Sequence, residues 1–212
     1  MDVPGPRSLW RACVAALALV SVAQAAVAGG DGEQLFRDGH YDRALKAWEA
    51  EASKGDPDAA WRLAAALNDG VVVERDPRRA VRWLKVAADA GHAEAQLDLG
   101  TAYDRGEGVA TSSEEAASWY HRAALQGHVA AQFNFASMCE QGQGVERDLT
   151  EAYAWYTLSV SQGIGAIGDE AIARVAARMS EAEVQTAAER AHRYEAAYSG
   201  VTVIPSAITP PR

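Results

Sequence analysis

Cysteine is almost absent from this chain, and an excess of basic residues is absent altogether. Only Cys13 and Cys139 occur among the 212 residues, which are too few for a fold built on disulfides. The formal net charge of −9 argues against a nucleic-acid partner, because affinity for a phosphate backbone comes from Lys and Arg, and here 29 acidic residues outnumber 20 basic ones. The fold must therefore depend on the packing of apolar residues.

Recognisable catalytic and cofactor motifs are also missing. The sequence contains neither a Ser-x-x-Lys nor a Gly-x-Ser-x-Gly nucleophile motif. Gly106-Glu107-Gly108 and Gly142-Gln143-Gly144 could suggest phosphate binding, but no strand precedes them and no Lys-Ser/Thr pair follows, so closure of a helix explains them better. His40, His121 and His192 have no partner at metal-ligand spacing. We therefore expect no enzyme, no cofactor and no metal.

The first 28 residues differ in composition from the rest of the chain. Arg7 and Arg11 precede an uncharged run from Ala12 to Ala28 that is rich in alanine and valine and ends in small residues. This layout predicts a secretory signal peptide over 1–28, and hence a periplasmic or secreted protein. The alternative is an uncleaved membrane anchor, because the run is about as long as the shortest spanning helix. Cleavage would remove one of the two cysteines and leave no possibility of an internal disulfide.

A period of 36 residues runs through the centre of the sequence. Identical residues recur at this spacing in three sets: Gly55, Gly91, Gly127 and Gly163; Trp83, Trp119 and Trp155; and Ala80, Ala116 and Ala152. Such a period predicts stacked supersecondary units, each too small to bury its own apolar face. We assign three units to 55–163, and we expect function on an extended groove rather than in one deep pocket.

Each unit has the pattern of two helices, which we call helix A and helix B. In the second unit, helix A has an apolar stripe that includes Ala95 and Leu99, and it ends at Gly106, where glycine can adopt the left-handed conformation that closes a helix. Helix B begins after Ser112, which forms a capping-box pattern with Glu115. The two helices must fold back on each other, so the sequence predicts an all-α solenoid of αα-hairpins.

We assign the recurring aromatic residues of helix B to the core. They are Trp83, Trp119, Trp155, Tyr120 and Tyr156. Small alanines lie between them at helical spacing, so the backbones can approach closely while the rings fill the remaining space. Cys139 is predicted to lie on helix A of the third unit as a buried small hydrophobic residue rather than as a reactive thiol.

His92 and His128 lie one period apart, and each follows a glycine at the start of a helix A. A metal pair is one interpretation of this spacing. We favour helix capping or packing of the loop, because each histidine stands at the boundary of a predicted helix.

The repeat is incomplete at both ends of the chain. Residues 31–54 form a partial unit that we expect to cover the amino-terminal end. Residues 164–199 have helical alternation with a capping box at Ser180 and Glu183, and we expect capping helices there. Residues 200–212 contain three prolines and no helical pattern, which predicts a flexible tail.

The side of helix A opposite the apolar stripe carries residues that differ between units. These candidate partner-binding residues of a concave face are Arg62 and Asp69 in the first unit, Asp98, Thr101 and Arg105 in the second, and Asn134, Ser137 and Gln141 in the third. A variable surface on a constant frame suits specific partner binding, although a solvated helix face would show the same pattern. Trp61, Leu97 and Phe133 lie at the edge of the stripe and could belong to the core or to the groove.

The stretches Ala93–Gly100, Gly106–Val109 and Ala116–Gly127 resemble a Sel1-like repeat, and the other two units match the same pattern. The resemblance covers about half of the chain. It implies an αα solenoid related to tetratricopeptide repeats, with helices A lining a concave face and helical caps at both ends. Members of this family usually act as adaptors or regulators through protein contacts, and many bacterial members are exported. A cysteine-rich branch is linked to penicillin binding and β-lactamase activity, but this chain lacks its cysteine pairs.

The sequence therefore predicts an exported, non-enzymatic and monomeric interaction module that presents its groove to an envelope protein or an extended peptide. The main alternative is a protein that binds or hydrolyses peptidoglycan or a β-lactam. A third interpretation is a structural spacer. The chain would contact a membrane only if the signal segment remained uncleaved.

Overall fold

The computed structural model describes residues 32–198, which fold into ten α-helices. They are α1 (Gly32–Arg37), α2 (Tyr41–Ala52), α3 (Pro57–Asp69), α4 (Pro77–Asp89), α5 (Ala93–Arg105), α6 (Ser113–Leu125), α7 (Val129–Gln141), α8 (Leu149–Ser161), α9 (Ala166–Ala176) and α10 (Glu181–Tyr198). No strand occurs in this part of the chain, so the predicted all-α class is confirmed. The predicted signal peptide at 1–28 and the predicted tail at 200–212 lie outside the described residues.

Consecutive helices pack against each other in chain order. Within the three units, α3 packs on α4, α5 on α6 and α7 on α8, and α4 and α6 in turn contact the first helix of the next unit. Helices A are therefore α3, α5 and α7, and helices B are α4, α6 and α8. Contacts between neighbours only are the defining property of a solenoid.

Side chains cap the amino-terminal ends of all six helices of the three units. The N-cap residues are Asp56, Asp76, His92, Ser112, His128 and Asp148, and each side chain accepts a hydrogen bond from a backbone N–H of the first turn. Helices A end at Gly70, Gly106 and Gly142, which have left-handed conformations. These start and stop signals were readable in the sequence and are confirmed.

The second glycine of two A–B loops also allows successive units to approach closely. A Cβ atom at Gly108 would overlap the carbonyl oxygen of Pro77, and one at Gly144 would overlap that of Ser113. Each loop thus lies against the first turn of helix B in the preceding unit. The first unit has Val72 at this position and is preceded by α2 instead of a complete unit.

Most of the predicted core aromatics are buried. Trp119, Trp155, Tyr120 and Tyr156 are each at most 6% exposed, and Cys139 on α7 is also buried. Trp83 packs against the core of the first units but is only partly buried, so it is less enclosed than we predicted. Tyr194 and Tyr198 of α10 cover Trp155, and the Arg122 guanidinium lies 4.3 Å from the centre of the Trp119 ring. Within 32–198, no comparable aromatic or cationic group stacks on Trp83.

The ends of the solenoid are covered in different ways. At the amino-terminal end, α1 packs on α2 and α2 packs on α3, and Trp48 of α2 is buried in the core of the first units. At the carboxyl-terminal end, both α9 and α10 pack against α8. The predicted capping box is present, because Ser180 and Glu183 exchange hydrogen bonds at the start of α10.

Candidate functional site

The eight predicted partner-binding residues all lie on helices A. Asp69, Arg105 and Gln141 are equivalent positions of the three units, and all three are exposed. The other five, Arg62, Asp98, Thr101, Asn134 and Ser137, are partly buried. We refer to the surface that these eight residues share as the A-helix groove.

Arg62 lies at the amino-terminal edge of the A-helix groove. Its guanidinium forms an ion pair with Glu33 of α1, and it borders a small cleft together with Trp48 and Asp58. The structure therefore places Arg62 beside the amino-terminal helices and apart from the other charged groove residues.

One polar groove residue binds a tyrosine of helix B. The Tyr120 hydroxyl donates a hydrogen bond to Thr101 Oγ1 at 3.2 Å. One period later, the Tyr156 hydroxyl donates instead to Glu140 at 3.1 Å, and Ser137 Oγ accepts a hydrogen bond from Gln141 Nε2 at 2.7 Å. Thr101 therefore holds a buried tyrosine as well as lying on the groove.

Four of the predicted residues share one cavity in the first two units. Its volume is about 200 Å³, and it lies between α3 and α5 above the surface of α4. Its polar groups come from Asn68 and Glu107 as well as from the four predicted residues Asp69, Asp98, Thr101 and Arg105. Ala64, Ala80, Val81 and Leu84 contribute apolar surface. We call it the Leu84 cavity. The structure brings these four residues together, whereas the sequence periodicity did not indicate an opening at this place.

Asp98 is the most unusual of the charged groups in this cavity. Its carboxylate accepts a hydrogen bond from Trp61 Nε1 at 2.8 Å, and burial raises its pKa above the ordinary value, although the Trp61 hydrogen bond opposes the shift. Among the residues that the structure describes, no Lys or Arg forms an ion pair with Asp98. The carboxylate can therefore gain from a further N–H donor supplied by a ligand.

The residues at the edge of the stripe have mixed roles. Trp61 stacks on His92 with ring centres 5.2 Å apart while its Nε1 reaches Asp98, so it belongs to both the packing and the groove. Phe133 lies 5.1 Å from the Tyr156 ring and packs against the core, as does Leu97.

A larger cavity of about 760 Å³, which we did not predict, lies between α6, α7, α8 and α10. His121 borders it and stacks on Phe135 with ring centres 4.5 Å apart. Burial lowers the pKa of His121, and burial also raises the pKa of the neighbouring Cys139 to about 12. The thiol is thus protonated and the imidazole neutral near pH 7, an environment that disfavours a thiolate nucleophile. The sequence contains one indication of this cavity, because Cys139 is smaller than Leu67 and Tyr103, the residues at the equivalent positions of the other units.

We also did not predict the buried carboxylate at the carboxyl-terminal end of the solenoid. Glu140 of α7 accepts hydrogen bonds from Arg174 at 2.7 and 3.0 Å, from Arg178 at 3.0 Å and from Tyr156 at 3.1 Å. The hydrogen bonds from Arg174 keep the pKa of Glu140 below its usual value. This group joins α9 to the last unit, and we assign it to stability.

Glu151 plays the corresponding role for α10. Its carboxylate accepts hydrogen bonds from Trp155 Nε1 at 2.7 Å, from Arg190 at 2.7 Å and from the Tyr194 hydroxyl at 2.8 Å. Its partners on α10 lie 39 and 43 residues away, a separation at which sequence spacing carries no signal.

The two histidines one period apart act as caps, as predicted. Nδ1 of His92 accepts the Ala95 N–H at 3.2 Å, and Nε2 lies 3.0 Å from an Asp58 oxygen. His128 repeats the arrangement with the Ala131 N–H and Glu94. Each imidazole therefore caps its own helix and contacts the preceding unit. No cluster of three or more potential metal ligands occurs between residues 32 and 198.

The structure thus defines an αα-hairpin solenoid in which the closing glycines of helices A repeat and the residues of the A-helix groove vary. The chain belongs to the Sel1 repeat family, whose model matches residues 57–92, 93–128 and 129–164. Sel1 repeats generally serve as protein interaction modules and are typically not enzymes. The predicted family and repeat fold are confirmed. In the segment that the structure describes, no helix combines the length and the apolar character needed to cross a membrane.

Solved structures of other repeat proteins are similar to this chain, and two of them illustrate the likeness. A Sel1 repeat protein from Oxalobacter formigenes is 32% identical with a TM-score of 0.57, over 62% of this chain and 98% of its own. A protective antigen present in uropathogenic Escherichia coli strains, which displays an SLR fold, is 23% identical with a TM-score of 0.57. That match covers 81% of this chain but only 46% of the antigen, and it shows the fold alone. A search of curated proteins finds no match.

Proposed function

We propose that this protein is exported and acts as a non-enzymatic adaptor or regulator that binds an envelope protein or an extended peptide along the A-helix groove. The main support is the Leu84 cavity, where polar residues from two units surround an apolar base on the variable face of the solenoid. Charged groups around an apolar contact favour specificity, because a wrong partner leaves them unpaired.

A charge-exchange variant tests binding through this surface. Asp69 and Arg105 are exposed on the A-helix groove, so Asp69→Lys combined with Arg105→Glu reverses both charges and leaves the net charge unchanged. Lys85 and Asp89 are exposed on helix B, and Lys85→Glu with Asp89→Lys is the matched control. The full chain is used to capture partners from envelope extract, and the recovered partner is titrated against all three proteins.

We expect the groove variant to bind at least about tenfold more weakly, equivalent to about 1.4 kcal/mol, and the control to bind as the unchanged protein does. Equal binding by the groove variant would place the interface elsewhere. Hydrolysis of a chromogenic β-lactam by the purified protein would instead favour the hydrolase alternative.

Export is tested separately on the full-length chain. The proposal depends on Arg7 and Arg11 before the apolar run that ends at Ala28. Cell fractionation with a carboxyl-terminal tag should find a shortened protein in the periplasm or medium. Arg7→Glu with Arg11→Glu should leave the precursor in the cytoplasm. A full-length product in the membrane fraction would support the uncleaved anchor.

A further inference from the structure

At one position of helix B, the first unit has a shorter residue where the other two units have tyrosine, and this residue lines the Leu84 cavity. Leu84, Tyr120 and Tyr156 are equivalent residues, one period apart. The two tyrosines are 3% and 1% exposed, and each packs against helix A of its own unit, because Tyr120 bonds to Thr101 and the Tyr156 ring contacts Phe133. The shorter Leu84 does not reach this space, and the first unit has an opening there.

The neighbouring residues show that an aromatic ring fits such a space. A Cβ atom at Gly100 would lie 2.7 Å from Cδ1 of Tyr120, so the ring is in direct contact with the α5 backbone. In the third unit, however, Ala136 takes the place of Gly100, and Tyr156 is still fully buried. Ala64 of the first unit is equivalent to Ala136, and it therefore leaves room for a ring in the same way.

The size and polarity of the Leu84 cavity define what can enter it. Its volume of about 200 Å³ exceeds the roughly 150 Å³ of an apolar cavity that binds benzene. Ala80 and Leu84 are buried, whereas Asp98 and Thr101 are partly exposed. The apolar residues therefore form the base and the polar residues lie toward the opening. A ring entering from the groove meets apolar surface, and the peptide backbone that carries it remains beside the carboxylate.

We propose that the Leu84 cavity binds a phenylalanine side chain of an extended partner peptide, with a backbone N–H of that peptide donated to Asp98. This assignment rests on the proposed function and names the chemistry of its partner. The ring of the peptide takes the place of the tyrosine side chain that the other two units have at this position. The peptide N–H gives the desolvated Asp98 carboxylate a second hydrogen bond, because within the described residues it accepts only the one from Trp61. A tyrosine is disfavoured, because its hydroxyl would point at Ala80 and Leu84.

Small probes test the site without knowledge of the natural partner. The probe is N-acetylphenylalaninamide, which has the ring and the amide N–H groups; N-acetylalaninamide lacks the ring, and N-acetyllysinamide replaces it with a cation. Binding is followed by ¹H–¹⁵N NMR of the full chain at the amides of Ala65 and Thr101. We expect saturable shifts with the phenylalanine probe and at least tenfold weaker binding of the other two.

Two substitutions at equivalent positions provide the internal control. Leu84→Tyr fills the cavity as the other units do, and it should abolish probe binding while the thermal midpoint stays the same or rises. Tyr120→Leu should open a second cavity and add probe-dependent shifts at Ser137. Circular dichroism and the amide spectrum show whether each variant is folded. If Tyr120→Leu unfolds, Leu84→Tyr alone decides the question.

The inference is overturned if the phenylalanine probe does not saturate, if Leu84→Tyr binds it equally well, or if the lysine probe binds more tightly. The proposed function can survive each of these results, because the charge-exchange variant tests it independently. The opposite result is also possible. If Leu84→Tyr abolishes probe binding but the charge-exchange variant still binds its partner, the Leu84 cavity is a binding site and the proposed partner interface is wrong.

Discussion

In the carboxyl-terminal half of the described chain, Trp155 and Tyr156 are each 1% exposed, and the buried Glu140 carboxylate binds Arg174 of α9 and Arg178 of the turn that follows it. In the amino-terminal half, Trp83 is only partly buried, and an exposed ion pair between Arg79 and Glu49 joins α2 to α4. The helix pattern and the caps are the same in both halves. The same repeat pattern therefore supports two kinds of packing: large side chains fill the carboxyl-terminal half, and smaller ones leave a cavity in the amino-terminal half.

The largest expected effect comes from removing equivalent tryptophans. Trp155→Ala should lower the free energy of unfolding by about 3–5 kcal/mol, because it deletes a fully buried ring covered by Phe135 and Tyr194. Trp83→Ala should cost only about 1–2 kcal/mol, since the ring buries less apolar area. Urea denaturation followed by circular dichroism measures both. Equal losses would contradict the contrast between the halves.

The second comparison concerns ion pairs. Glu140→Gln should destabilise the protein by about 1–3 kcal/mol, because Arg174 and Arg178 lose a charged acceptor. Glu49→Gln, its exposed counterpart in the other half, should cost less than about 1 kcal/mol. The folded-state pKa of Glu140 is lowered from its ordinary value of 4.5, so its contribution is present above that pH and is lost as the pH falls through the folded value. The difference in the free energy of unfolding between Glu140→Gln and the unchanged protein should therefore become smaller in acid. A difference that does not change with pH would exclude an effect of the Glu140 charge.

The repeat frame was predictable because its determinants are local. Caps such as Ser112 and closing glycines such as Gly106 act within a few residues, and the period shows which positions share an environment. The contacts of Glu140 with α9 and of Glu151 with α10 were not predictable, because they join residues more than thirty positions apart outside the repeat.

The sequence was sufficient to predict which residues of the candidate site share one face of a helix, but not that a cavity lies between them. The spacing of Asp98, Thr101 and Arg105 placed them on one side of α5, and the structure brings them to one cavity with Asp69. The cavity itself depends on the shorter Leu84 at a position where the other units have tyrosine. A size difference at one buried position becomes an opening only when the neighbouring helices stay at the same spacing, which is a property of the packing.

Alkaline pH should weaken the carboxyl-terminal half. Burial raises the pKa of Cys139 from 9.0 to about 12 and that of Tyr156 from 10.0 to about 12. The unfolded chain loses these protons at lower pH than the folded chain, so stability falls as the pH rises above about 9, on the order of 1 kcal/mol per pH unit for each group. Thermal unfolding between pH 8 and 10.5 should show this fall, and Cys139→Ala should reduce its slope. An unchanged slope would mean that the thiol ionises equally in both states.

The smallest predicted effect separates the two roles of the capping histidines. His128→Ala removes both the cap on the Ala131 N–H and the contact with Glu94, and should cost about 1 kcal/mol. His128→Asn keeps a side-chain acceptor for the cap but loses the contact with the preceding unit, so it should cost only a few tenths of a kcal/mol, as expected for an exposed polar pair. The same two changes at His92, which contacts Asp58, extend the test to the amino-terminal half. Urea titrations and hydrogen exchange at the start of α7 and α5 measure these differences. If asparagine is as harmful as alanine at both positions, the contact between units outweighs the cap. The histidine ring would then matter more for the packing of one unit on the next than for the start of its own helix.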